Sequence, residues 1–193
     1  MCYCLTERKT WSVSVGLFIL LLSALWVAPA AAQDLYDVED STHLAPQGGN
    51  RYDVTRILDN DPSTAWVEGS AGYGLGDYIL FTFVPARFHG AGVVDVTIRG
   101  LRIRNGYGKN PDVWAENSRI KTLRVLHNGI DIGTVGLADI MDEQWIPMGG
   151  MTAFGDLDIS AGDTLKLVIT GVYTGAAYKD TALSELILVY DAY

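Results

Sequence analysis

Apolar and polar residues alternate with a period of two along much of the chain, and helical periodicity is scarce. Val94, Val96 and Ile98 alternate with Asp95, Thr97 and Arg99, the pattern of a half-buried strand. The phase flips at Gly100, where Leu101 and Ile103 become the inward set against Arg102 and Arg104. That slip predicts a β-bulge or sharp bend at the glycine. Residues 78–83 are a short aromatic and β-branched run ending before Pro85. Further strands are predicted over 123–126, 132–137, 144–148, 165–170 and 186–190, with Leu165, Leu167 and Ile169 facing inward. A one-turn helix is expected near 54–58 or 137–141.

Turn formers separate these runs: Asn60-Asp-Pro-Ser, Asn105-Gly-Tyr-Gly, Asn128-Gly, Gly149-Gly and Ala161-Gly-Asp. Many short strands with such punctuation describe an all-β sandwich or barrel. The connection 106–117 is long enough to be a functional loop. No internal repeat, low-complexity tract or linker divides the rest, which reads as one domain over 33–193.

The N-terminus sets the compartment. Arg8 and Lys9 precede an apolar run of 15 residues, 13–27, followed by Ala30-Ala31-Ala32. Basic region, apolar core and small-residue site in this order are a secretory signal peptide over 1–32, cleaved after Ala32. The apolar run is shorter than the roughly 20 residues a spanning helix needs, which disfavours a membrane anchor. Both cysteines, Cys2 and Cys4, fall in that segment, so the mature domain has no disulfide or thiolate metal site. The full chain carries a charge of −9; losing Glu7, Arg8 and Lys9 leaves 12 basic against 22 acidic residues, or −10. An acidic domain repels phosphate backbones and anionic lipid, so nucleic acid and membrane surfaces are poor partners.

Catalytic patterns are missing. His43, His89 and His127 lie in unlike contexts, and nothing resembles H-E-x-x-H, G-x-S-x-G or a P-loop. The glycines of Gly72-Tyr-Gly-Leu-Gly76 precede no helical pattern, so a dinucleotide fingerprint fails on context. Paired carboxylates for glycoside hydrolysis stay open, because pairing is spatial.

Three segments share an order and spacing: Asp59-Asn-Asp-Pro-Ser-Thr-Ala-Trp-Val-Glu-Gly69 with Gly72-Tyr-Gly-Leu-Gly-Asp-Tyr78; Ile103-Arg-Asn-Gly-Tyr-Gly-Lys-Asn110 leading to Asn117-Ser-Arg-Ile-Lys-Thr-Leu123; and Val172 through Leu186. Together they resemble the glycan-binding domain of bacterial NAD-glycohydrolase toxins, where it assists translocation. That domain is a jelly-roll relative of discoidin and of the C-type domains of coagulation factors V and VIII. The resemblance implies a discoidin-like (galactose-binding-like) jelly-roll β-sandwich that binds sugars without hydrolase chemistry. Coagulation-type relatives often tie their ends with a disulfide, which this chain lacks the cysteines to form. That departure favours the bacterial branch over lipid binding.

The loop Asp59-Asn-Asp-Pro-Ser-Thr64 reads in two ways. Its residues are standard turn formers. They also offer the hard oxygens calcium takes, roughly six to eight per ion. In discoidin-like sugar modules such a loop binds Ca2+ together with a Glu at the start of the last strand. The resemblance therefore implies a structural ion on Asp59, Asp61, Thr64 and Glu185, partly through backbone oxygens. Trp66 is expected in the core rather than at a sugar.

Sugar recognition needs flat aromatic faces beside polar groups. Tyr73, Tyr107, Trp114 and Tyr178 are the expected loop aromatics, with Asn105, Lys109, Asn117 and Arg119 as polar partners. Asn117 and Arg119 have a structural alternative, pinning the long loop by hydrogen bonds to backbone. Sugars are neutral and well hydrated, so coulombic attraction should contribute little, stacking and hydrogen bonding should carry affinity, and binding should be nearly insensitive to salt. The leading expectation is a secreted, non-enzymatic module binding a surface polysaccharide or glycoconjugate. An extracytoplasmic protein-interaction or structural domain without sugar binding is the alternative, and a small hydrolase the third.

Overall fold

A computed structural model describes residues 35–151 and 155–193; the expected signal peptide, 1–32, lies outside the described residues. The N-terminal half contains β1 (Tyr36–Asp40), a 3-10 helix (Val54–Leu58), β2 (Trp66–Val67), β3 (Tyr78–Phe83), α1 (Pro85–Ala91), β4 (Asp95–Asn105) and α2 (Pro111–Glu116). The rest contributes β5 (Ser118–His127), β6 (Ile130–Gly136), β7 (Gln144–Pro147), α3 (Met148–Met151), β8 (Leu157–Ser160), β9 (Thr164–Tyr173) and β10 (Thr181–Ala192).

Hydrogen bonding runs β1-β3-β9-β5-β10-β4-β7, with β6 beside β5, and β2 and β8 beside β10 and β4. The β5–β10 link is parallel and covers only Thr181 opposite Ser118 and Ala182 opposite Arg119. It joins two antiparallel sets whose apolar faces form the filling of a β-sandwich. Phe81, Leu123, Val125, Leu165 and Leu167 come from one set, and Ile98, Leu101, Ile103, Leu186 and Leu188 from the other, in one buried cluster. Ile57 of the 3-10 helix and Trp66 close one end of that cluster. The buried Trp66 indole N–H donates to Asp40 Oδ2 (2.9 Å) and the Thr42 carbonyl (3.2 Å), which satisfies its polar handle.

The expected phase slip is present. Val189 faces Gly100 but Tyr190 faces Ile98, so Arg99 is an extra residue on β4. A β-carbon at Gly100 would fall on the Ile146 carbonyl and the Trp145 ring of the neighbouring strand. Glycine permits that close approach, and the bulge turns Leu101 and Ile103 inward.

Several expectations need correction. Val94 precedes β4 and is exposed, because its backbone pairs with Tyr193 outside the ladder. The 3-10 helix forms at Val54–Leu58, but 137–141 stays irregular, tied by Gln144, whose side chain bonds both the N–H and carbonyl of Ala138. Strands β1 and β8, each an outer partner, lie outside the predicted set although both alternate, Tyr36 and Val38 against Asp37 and Glu39, and Leu157 and Ile159 against Asp158 and Ser160; each shows only two apolar positions. The connection 106–117 is not all loop. Asn110 Oδ1 accepts from the Val113 N–H (2.9 Å), Pro111 occupies the first turn, and six residues wind into α2.

Candidate functional site

Loops at one end of the sandwich enclose a cleft of about 430 Å³. Its walls include Tyr52, Tyr107 and Tyr178 with Gln47, Asn50, Lys109, Glu116, Asn117 and Asp180. Tyr107 is 8 % exposed and packs edge-to-face on Tyr52, with ring centroids 6.4 Å apart. Tyr178, 54 % exposed, offers an open ring. Its backbone is held by Ser118, whose hydroxyl donates to the Tyr178 carbonyl (3.0 Å), and by its own N–H on the Glu116 carbonyl (2.8 Å). The opposite wall is a tight turn in which the backbones of Gln47 and Asn50 bond each other in both directions. Gly48 (φ 56) and Gly49 (φ 87) supply its left-handed conformations, a Gly-Gly signal legible in the sequence.

Four expected ligand residues meet in this cleft: Tyr107, Lys109, Asn117 and Tyr178. The other four do not line it. Asn105 is fully buried, its amide donating to the Ile120 carbonyl (2.7 Å) and accepting from the Ile120 N–H (3.0 Å). It clamps β4 to β5 and is buried away from the cleft. Trp114 sits on α2, not on a loop; its indole N–H donates to the Asn105 carbonyl (2.9 Å) beneath the Arg119 guanidinium. Arg119 is committed to Asp139 and to the carbonyls of Asn117 and Trp114. Tyr73 lies elsewhere, its carbonyl accepting from the Thr181 hydroxyl (2.9 Å) and its ring beside Lys179. Asn117 does both jobs, lining the cleft while its amide donates to the Val113 carbonyl (2.8 Å).

Over residues 31–189 the sequence matches the family described as the NAD glycohydrolase translocation F5/8 type C domain. The chain belongs to this family. This F5/8 type C domain shares its fold with solved structures of low identity. The C-terminal domain of a chitobiase from Bacteroides fragilis superposes with a TM-score of 0.51 at 16% identity, covering 84% of this chain and 97% of that one. The family 32 carbohydrate-binding module from Streptococcus pneumoniae EndoD gives 0.52 at 10% identity, covering 81% and 97%. No curated protein matches the sequence. Among the described residues, no helix is long and apolar enough to cross a membrane.

A second feature of the F5/8 type C domain is the loop before β2. Asp59 Oδ1 accepts from the Asp61 N–H (3.0 Å), and Asp59 Oδ2 from the Thr64 hydroxyl (2.8 Å). The Ser63 hydroxyl and N–H both donate to Asp61, holding its carboxyl below the usual range. Glu185, early on β10, is 6 % exposed, and among the described residues neither carboxylate oxygen has a hydrogen-bond partner. Burial, and then the negative charge of Asp59, push its pKa up to about 7; Arg104 and the approaching Asn60 N–H act against them. A buried carboxylate with two idle oxygens beside an acidic loop is the environment a cation would relieve. Among the described residues no three His, Cys, Asp or Glu side chains converge as a metal cluster. An ion here would combine Glu185 with backbone and hydroxyl oxygens of residues 59–64, a donor set that fits calcium.

Proposed function

We propose that this chain is a secreted, non-catalytic glycan-binding module. The sugar lies in the cleft between Tyr107, Tyr178 and the turn formed by Gln47–Asn50 backbone pairing. One observation carries the reading: an exposed aromatic ring, Tyr178, stands beside Asn117, Asp180 and Lys109 in a pre-formed concave site. A ring C–H face against the tyrosine and hydroxyls on these polar groups is the chemistry carbohydrate requires. Family membership and the carbohydrate-binding-module fold support it. A protein-interaction surface that had lost sugar binding would not need an open aromatic within a polar cleft.

Turnover would need a buried acid of raised pKa opposite a second carboxylate. Glu116 and Asp180 line the cleft, and Glu116 is exposed. In this reading both accept hydrogen bonds from sugar hydroxyls. A structural Ca2+ held by Glu185 with oxygens of Asp59, Asp61 and Thr64 would tie the first loop to the final strand and neutralise local negative charge. The chain is exported by the 1–32 signal peptide.

The test is a glycan-array screen of the mature domain followed by calorimetric titration of the hits. Saturable binding without release of reducing sugar is expected, and Tyr178→Ala should weaken it. An array with no hit overturns the reading in favour of a protein-interaction domain.

A further inference from the structure

Beside the main cleft is a second, of about 250 Å³, that shares Asn50, Tyr107 and Lys109 with it. Its remaining walls include Arg51, Arg56, Ser63 and Thr64, and among the described residues no carboxylate lines it. In a chain of net charge −9, three cations converging on one hollow need a reason. The acids of the site, Glu116 and Asp180, line only the larger cleft. The combined groove is therefore polarised, acidic in one compartment and cationic in the other, with Tyr107 at the border.

The cations are only partly neutralised. Arg51 Nε pairs with Asp53 at 3.2 Å while its side chain stays 66 % exposed. Arg56 Nη1 meets Asp59 at 3.3 Å and its Nε lies 3.9 Å from Asp53, which Arg51 also pairs; that buried Nε makes no hydrogen bond among the described residues, so two carboxylates are shared between the two guanidiniums and Lys109 is left over. Lys109 is exposed and forms no ion pair among the described residues. The two hydroxyls are already committed, Ser63 to Asp61 and Thr64 to Asp59. Recognition in the smaller cleft thus falls to the cations, which suit an anionic group rather than a hydroxyl.

We propose that the module takes an anionic glycan, whose carboxylate or sulfate enters the Arg51–Arg56–Lys109 cleft while the adjoining ring lies in the larger one. The proposal rests on the sugar-site reading above and departs from the expectation of a ligand without charged groups. Polarity along the groove fixes ligand direction: hydroxyls toward Glu116 and Asp180, the anion toward Lys109. Like charges at the acidic end disfavour the reverse pose.

An array of matched neutral, uronate-bearing and sulfated glycans tests it, using the mature chain. The strongest binders should be anionic, and which class wins identifies carboxylate or sulfate as the group received. Calorimetry on the best hit and its counterpart lacking that group should show about a tenfold preference for the charged form. Raising salt to about 0.5 M should shrink the preference, because exposed pairs are screened. Arg51→Ala and Lys109→Ala should each reduce the charged-to-neutral affinity ratio while melting like wild type. Tyr178→Ala should lower affinity for both ligands and keep the ratio. Neutral glycans binding as well as charged ones, or a ratio unmoved by Arg51→Ala and Lys109→Ala, overturns this proposal and leaves the sugar site standing. No binding to any glycan overturns both.

Discussion

The Arg119 guanidinium lies 4.4 Å from the centroid of the Trp114 ring, and its Nε and Nη2 donate to the two carboxylate oxygens of Asp139 at 2.7 and 3.0 Å. The stack holds α2 against the sheet and so positions the wall that carries Asn117. Trp114 and Arg119 act on the cleft through this buttress rather than by touching a ligand.

Removing that cation should therefore be felt as stability. Arg119→Ala leaves Trp114 uncovered and two backbone carbonyls without a donor, for a loss of about 2–3 kcal/mol, since Asp139 is partly exposed. Arg119→Lys should recover little, because an ammonium lacks the planar fork. Urea denaturation measures both, and a wild-type midpoint for Arg119→Ala would refute the buttress.

Tyr178→Ala and Trp66→Ala should separate binding from folding. Tyr178 is exposed at the cleft, so its loss should weaken glycan binding with a change in stability within about 0.5 kcal/mol. Trp66 is fully buried, and truncating it should remove about 3–5 kcal/mol. Thermal melts and titration calorimetry on the pair decide the matter. A cold-stable Trp66→Ala would place that ring outside the core.

Calcium should stabilise the fold through Glu185. A ligand bound only by the native state at 100-fold excess over its Kd adds about 2.7 kcal/mol. Chelator should lower the melting temperature of wild type but not of Glu185→Ala. In chelator the variant should melt no lower than wild type, because it has shed a buried carboxylate without partners. A wild-type melt indifferent to chelator would leave residues 59–64 as a turn alone.

Glu68 predicts a pH dependence of opposite slope to that of most carboxylates. It is fully buried, accepting from the Ser70 N–H (2.8 Å) and the Thr181 N–H (3.1 Å), and desolvation lifts its pKa to about 7. Between the unfolded value of 4.5 and about 7, the native state binds more protons than the unfolded one. Stability from this group thus falls as pH rises through that window, by of order 2–3 kcal/mol. Glu68→Gln should flatten that component, seen as a smaller difference between denaturation at pH 5 and pH 8. Parallel wild-type and variant profiles would mean that the two backbone donors keep Glu68 ionised throughout.

The alternation around Gly100, the apolar run 78–83 and the inward set Leu165, Leu167 and Ile169 determined the sandwich from sequence, because side-chain phase along a strand is a local property. The family-bearing segments likewise named the fold. What lay beyond reach was the direction each loop side chain takes after folding. Asn105, Tyr107, Trp114 and Arg119 look alike in sequence, as polar and aromatic residues in and beside a glycine-rich turn. Tertiary structure buries Asn105 between two strands, stacks Trp114 under Arg119, and leaves only Tyr107 of the four at the cleft. Gln47, Asn50 and Tyr52 join it from a distant segment, and Glu116 from the far end of the same connection. Composition fixed the net charge, but only packing gathered Arg51, Arg56 and Lys109 into one hollow. A binding site is a set of long-range coincidences, and sequence periodicity carries no information about which loops meet in space.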